Sequence, residues 1–267
     1  MVYSIAAATL IGIQAELVLV EVDLLKRLPA ISIVGLPGIS VKESADRIRS
    51  AIQQSGYTMP RKRIVVNLAP ADIKKQGTTF DLPIAIAILL ASKEQHSSRA
   101  SNALFVGELS LNGSLRPIRG ALSFALLAKK LGYQFIVLPK ANVAEATLVK
   151  GLTICGFQTL TEIISWINHK SNNPPVSKIN SLSLRTHSVD MQDVQGQEVA
   201  KRALEIAATG GHNILLMGSP GCGKSMLAQR MVSILPSLQF QEALEITQIH
   251  STYNTTQGLQ ESRPFRS

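Results

Sequence analysis

The chain has 267 residues, 45% of them hydrophobic, which is ample for packed cores and excludes a disordered polypeptide. Its formal net charge of +9 and sequence pI near 9.7 favour a polyanionic partner, while an aromatic content of only 4% argues against a surface of stacked aromatic platforms. The two cysteines, Cys155 and Cys222, lie far apart, so a reduced cytosolic protein is the simplest reading.

Met1 to Leu10 is apolar without a basic leader and reads as a first strand rather than a secretion signal. Ile13 to Leu25 alternates, with Leu17 and Leu19 on one face and Val18, Val20 and Val22 on the other, which predicts a central strand apolar on both faces. Ala30 to Val34 is a short strand that ends in the turn Gly35-Leu-Pro-Gly38. A helix is predicted next, opened by a capping box of Ser40 and Glu43, carried by Val41, Ala45, Ile48 and Ile52, and ended by Gly56. Ile64 to Leu68 is another strand. The longest apolar run, Leu82 to Ala91, is about half of what a bilayer requires and predicts a buried helix starting near Asp81.

Leu104 to Leu115 reads as two short strands around Asn112-Gly113, a favoured hairpin turn. A helix from about Ala121 to Leu131, stopped by Gly132, precedes a strand at Phe135 to Leu138. Asn142 with Glu145, and Thr159 with Glu162, are predicted to cap two short helices. Strand and helix alternate through residue 168, as in an α/β or α+β domain. His169 to Asp190 changes to Asn, Ser and Pro and reads as a linker. The predicted organisation is therefore a domain at 1–170, a linker at 171–190 and a second domain at 191–267.

In that second domain Gln197 to Thr209 is helical and closes on Gly210-Gly211, Ile214 to Met217 is a predicted buried strand, and Lys224 to Leu235 is the helix that follows. Between strand and helix stand Gly218, Ser219, Pro220, Gly221, Cys222, Gly223, Lys224 and Ser225, a complete phosphate-binding loop. Glycines at 218, 221 and 223 let main-chain N–H groups converge on an anion, and the helix start adds its positive end. Lys224 is expected to reach the β- and γ-phosphates, and Ser225 to complete the coordination of a nucleotide-bound Mg²⁺. ATP and Mg²⁺ are thus the expected cofactors. Hydrolysis also needs a carboxylate for Mg²⁺ and a group that orients water. No apolar strand ending in Asp or Glu occurs between Pro236 and Ser267, so no catalytic residue is assigned in this chain.

Asp193-Val-Gln-Gly-Gln-Glu198, Ala200 to Ala207, Gly211-His-Asn-Ile-Leu-Leu216 and the phosphate loop together resemble the start of the Mg-chelatase-like AAA+ ATPases of the ComM/YifB family. Upstream, Val34-Gly-Leu-Pro37, Asp46-Arg-Ile-Arg49, Val66 to Asp72 and Gly77 to Ala85 resemble that family's N-terminal domain. The resemblance implies a Lon protease/ribosomal S5 domain 2-like α+β domain followed by a P-loop AAA+ α/β domain. It further implies a homo-oligomeric ring that uses ATP to remodel DNA by branch migration in natural transformation. By the same analogy Val194, Gly196 and Gln197 lie near the adenine. Arg263-Pro-Phe-Arg-Ser267 resembles a family segment that continues into the Walker B strand, which suggests a product truncated before it, binding ATP but turning it over poorly.

Two rival functions are disfavoured. Gly107 to Ile118 and Leu138-Pro-Lys140 resemble the Lon proteolytic domain, but Leu122 stands where its lysine would be, and Lys75-Gln-Gly-Thr-Thr-Phe80 has no serine nucleophile. A porphyrin metal-chelatase motor is argued against by the Lon-like N-terminal domain. For DNA, the candidate phosphate contacts are Arg61, Lys62, Arg63, Lys74 and Lys75, with Arg47 and Arg49 nearby. The alternative is that these are solvated charges on strand ends and a helix face. The histidines and cysteines lack metal-ligand spacing, and no membrane partner is expected.

Overall fold

The computed structural model describes residues 2–94, 96–171, 190–254 and 258–265. The chain forms two compact units, one of Met1–Asn180 with Gln248–Gly258 and the other of Ser181–Thr247 with Leu259–Ser267. The expected linker lies outside the described residues except at its two ends.

The first unit is built on strands β1 (Tyr3–Ile11), β2 (Gln14–Leu25), β3 (Ala30–Val34), β4 (Arg63–Ala69), β5 (Ala103–Phe105), β6 (Glu108–Leu109), β7 (Leu115–Arg116), β8 (Phe135–Pro139) and β9 (Thr153–Phe157). Seven of them form one sheet in the order β3-β4-β2-β1-β5-β8-β9, and β6 with β7 forms a separate hairpin. The pairs β2/β1 and β4/β2 are antiparallel, and the other four pairs of the large sheet are parallel, so the sheet is mixed with parallel pairing dominant.

Local chemistry accounts for much of this. Gly12, at φ +61°, makes the turn that lets β1 and β2 pair from Tyr3↔Val22 to Ile11↔Gln14. Val18, Val20 and Val22 are fully buried, each worth about 1.5–3 kcal/mol of transfer free energy. β2 is an interior strand of the sheet, as its two apolar faces predict, but only the valine face is fully buried: Leu17 is half-buried and Leu19 is exposed. Helix α1 (Ile39–Lys42) leads into α2 (Ser44–Gln54), and α3 (Asp81–Lys93) packs against β1 and β2. Every α3 side chain from Leu82 to Ala91 is buried, as the unbroken apolar run predicts. Helices α4 (Ser98–Ser101), α5 (Ala121–Lys130), α6 (Val143–Ala146) and α7 (Leu160–Ile167) complete the unit. The indole of Trp166 lies in the core, edge-on to Phe135 at 5.3 Å.

Of the three predicted capping boxes only that of Thr159 and Glu162 forms in part: the Glu162 N–H donates to Thr159 Oγ1 at 3.3 Å, but Glu162 Oε2 accepts the N–H of Gln158, one residue before the cap, at 2.9 Å. Ser40 donates instead to the Gly77 carbonyl at 3.2 Å. Asn142 binds both the N–H and the C=O of Ile118, and Glu145 accepts the Leu122 N–H at 2.7 Å. In both failures a partner distant in sequence outcompetes the local bond.

The second unit contains a 3-10 turn at Met191–Asp193, then α8 (Glu198–Gly210), α9 (Lys224–Ile234) and α10 (Phe240–Tyr253), whose residues from Gln248 onward count with the first unit. Gly211, at φ +64°, ends α8 as expected. The core is small: Met191, Val194, Leu204 and Leu227, with Ile214, Leu216, Met231 and Ile234 against it. The predicted strand Ile214 to Met217 carries no β-ladder among the described residues. Its alternation is real, since Ile214 and Leu216 face the core while Leu215 and Met217 are 79% and 84% exposed. No neighbouring strand pairs with it among the described residues, and a strand exists only through its ladder.

Candidate nucleotide-binding site

The loop from Gly218 to Ser225 turns through two glycines in the left-handed region, Gly221 at φ +82° and Gly223 at φ +88°. A side-chain-bearing residue is strained there, whereas glycine is not. A Cβ on Gly218 would come within 2.9 Å of the Cys222 sulfur, which would have to turn aside. Gly223 directly precedes α9, whose first turn leaves N–H groups without intrahelical partners.

Lys224 folds over this turn. Its Nζ donates to the carbonyls of Gly218 at 3.0 Å and Ser219 at 2.8 Å and lies 3.5 Å from Cys222 Sγ. The ammonium therefore sits on the loop rather than out in solvent, and Ser225 beside it is exposed. Donors from the main chain, one ammonium and one hydroxyl, with glycines that clear the approach, suit a polyphosphate carrying Mg²⁺. Lys224 and the loop N–H groups are the residues that would hold the phosphates, and Ser225 would meet the metal. Among the described residues no group of His, Cys, Asp or Glu could hold a metal ion unaided.

The three residues expected near the adenine lie in the same unit. Val194 is buried against Leu227, two residues beyond Ser225. Gly196 and Gln197 both have positive φ, +66° and +61°, and lead into α8. The preceding turn is tied to α9, because the Met191 N–H donates to Ser233 Oγ at 3.0 Å and Arg230 Nε lies 3.7 Å from the Asp193 carboxylate.

The structure disperses the basic residues of the first unit. Arg61, Lys62 and Arg63 lie at the start of β4 and Lys74 beyond its end, roughly 20 Å away for a strand of this length. Lys75 is withdrawn from any surface: it is fully buried, and its Nζ donates to the Pro70 carbonyl. Burial lowers its pKa, against the opposing charge of Asp72. Arg47 is engaged with Asp81, while Arg49 is exposed on α2.

Sequence reading missed that ion pair. The Asp81 carboxyl is pushed up to about 6, chiefly by burial, with the Arg47 hydrogen bond and charge pulling it down. Asp81 in turn raises the Arg47 pKa. Thr78, from the segment compared with the protease nucleophile turn, donates to the Glu108 carboxylate, and Leu122 is fully buried.

Comparison with known proteins adds to this picture. Residues 20–142 match the family described as subunit ChlI of Mg-chelatase, and residues 190–267 match the family described as magnesium chelatase, subunit ChlI. YifB of Escherichia coli is 44% identical over 261 residues, 96% of this chain and 51% of that protein. Competence protein ComM of Haemophilus influenzae is 41% identical over 272 residues, 100% of this chain and 53% of that protein. A shorter similarity, 40% over 68 residues, connects 26% of the chain with 11% of an archaeal Lon protease from Methanothermobacter thermautotrophicus. The chain spans about half the length of the curated relatives it matches along its whole extent.

Proposed function

This chain belongs to the magnesium-chelatase-like family that includes ComM and YifB, and on that premise we propose that its second unit binds Mg-ATP through Gly218–Ser225. The observation that carries the proposal is the position of Lys224 Nζ, 2.8–3.0 Å from two loop carbonyls and above a turn made by positive-φ glycines. Bound phosphates would offer that ammonium a stronger, charge-assisted partner than a carbonyl. We assign Val194, Gly196 and Gln197 to the vicinity of the base.

The process served is ATP-driven remodelling of DNA, as branch migration in natural transformation, by a homo-oligomeric ring in the cytoplasm. It is supported by the family and by the word competence in the name of the Haemophilus relative. No helix among the described residues is long and apolar enough to cross a membrane. The acidic residues after Pro236 are Glu242, Glu245 and Glu261, none of which follows an apolar strand.

Calorimetric titration of this chain and of Lys224→Ala with Mg-ATP tests the proposal. Wild type is expected to bind and the variant to bind about 10–100-fold more weakly, the scale of one charge-assisted contact. Equal affinity in the two proteins would remove the loop from nucleotide binding.

A further inference from the structure

Arg63 is the register partner of both Leu25, at the end of β2, and Ala30, at the start of β3. The β2–β3 turn therefore emerges beside the loop that enters β4. Two basic runs distant in sequence, Lys26-Arg27 and Arg61-Lys62-Arg63, meet at this end of the sheet. Lys26, Arg27 and Arg61 are exposed there, and Lys62 and Arg63 are half-buried. Beside them opens a cavity of about 720 Å³ between α2, the α2–β4 loop and the first residues of β3. Arg49, Arg61 and Lys62 line it together with Tyr57, Met59 and Pro29, and among the described residues no carboxylate lines it.

We propose that this end of the sheet is the polyanion-binding surface of the first unit and that it takes an unpaired nucleic-acid strand through its phosphates. The inference deepens the DNA reading above and rests on it for the identity of the polyanion. A single phosphate ion would use only a small part of a cavity of this size, which falls in the range of pockets for larger ligands. The cations also continue past the cavity onto the Lys26-Arg27 turn, so they match a row of phosphates rather than one. A concave site admits a flexible strand, whereas a duplex would rest on its rim. Tyr57 is the single aromatic side chain among the described lining residues, and the Lys93 ammonium lies over one face of its ring at 5.4 Å, so phosphate contact rather than a row of stacked bases is the main attraction. Binding is accordingly indifferent to base sequence.

The test uses the full chain and a fluorescent oligothymidylate of about twenty nucleotides, titrated by anisotropy across a salt series. Two double variants are compared with wild type: Arg49→Ala with Arg61→Ala, and Lys26→Ala with Arg27→Ala. Each is expected to bind the strand at least tenfold more weakly at low salt. Each should also show a slope of log K against log salt shallower by about 1.4, from two phosphate contacts at about 0.7 each. Lys74→Ala, at the far end of β4, is expected to leave both readings unchanged. Urea unfolding followed by Trp166 fluorescence, expected to match wild type, confirms that each variant folds.

Wild-type affinity and slope in both double variants would overturn the proposal while leaving DNA binding elsewhere on the chain intact. Absence of strand binding by wild type at low salt would overturn the DNA reading and this inference together. Displacement of the strand by tripolyphosphate or by polyglutamate, at equal charge, as readily as by a second strand would also overturn it. The first of these results would make the cavity a small-polyphosphate site and the second a general cationic surface.

Discussion

Arg47 grips Asp81 with two hydrogen bonds, Nε to Oδ2 at 3.0 Å and Nη2 to Oδ1 at 3.1 Å. The pair fastens the first turn of α2 to the first residue of α3. The same carboxylate also accepts the Leu109 N–H at 3.4 Å, which brings the β6–β7 hairpin to the junction. Asp81 is fully buried and the Arg47 side chain is 25% exposed, so the carboxylate bears most of the desolvation.

The Asp81 pKa of about 6 in the folded chain lies above its ordinary value of 3.8. The folded state therefore binds this proton more readily than the unfolded state, and the cost of burying the ionised carboxyl is fully present above pH 6. As pH falls from about 6 to about 3.8 that cost is relieved. Wild type should gain on Asp81→Asn by about 2–3 kcal/mol between roughly pH 7 and pH 4. Urea unfolding followed by Trp166 fluorescence measures the difference, and parallel pH profiles would contradict the assignment. Arg47→Ala removes the group that holds the Asp81 pKa down, so it should move the window upward and cost about 2 kcal/mol near neutral pH, a figure reduced for the partial exposure of Arg47.

Gly35 tests how closely β4 approaches the turn after β3. Its φ is +95°, and a Cβ there would lie 2.2 Å from the Leu68 carbonyl oxygen. Gly35→Ala is expected to destabilise the first unit by about 3 kcal/mol or more, because backbone must move. Gly56, at φ +79° with open space around it, provides the contrast. Gly56→Ala should lose only about 1 kcal/mol in the same unfolding assay.

The two cysteines should separate cleanly under a thiol reagent. Burial pushes the Cys155 thiol up to about 12, while Cys222 is exposed on the loop between Gly218 and Ser225. One thiol per native chain should react near neutral pH, and peptide mapping should find the label on Cys222. Mg-ATP should slow that reaction by covering the loop. Prompt labelling of Cys155, or no protection by nucleotide, would count against the placement of one or the other.

Lys224→Ala should leave the Trp166 unfolding midpoint where it is in wild type, since the lysine contacts only loop atoms of the second unit. Lys224→Arg should fail to restore full nucleotide affinity, because a planar fork does not replace a compact ammonium in a tight loop. Titration of both variants with Mg-ATP checks this. Full affinity in the arginine variant would mean that charge alone, not shape, is required.

Features set by neighbours along the chain are legible in the amino-acid sequence itself. The turn between Gly218 and Ser225 is one, because the positive φ it requires falls on glycines, at 221 and 223. The helices at Asp81–Lys93, Glu198–Gly210 and Lys224–Ile234 are others, since apolar spacing and flanking glycine act within a few turns. The hairpin at Asn112-Gly113 belongs with them, as Gly113 supplies the positive φ its turn demands.

Relations between distant segments are not legible there, and they change the functional reading most. Nothing near Lys75 marks it as buried; its environment comes from the return of the chain past Pro70 and from the Gly35–Gly38 turn, where the Gly38 N–H bonds to the Lys75 carbonyl at 2.8 Å. The basic cluster Arg61–Arg63 looks continuous with Lys74 in sequence, yet a strand carries them to opposite ends. Lys26 and Arg27 become its true neighbours through sheet register. Hydrogen-bond ladders and burial join residues by where the sheet places them, a long-range pairing that no local preference encodes.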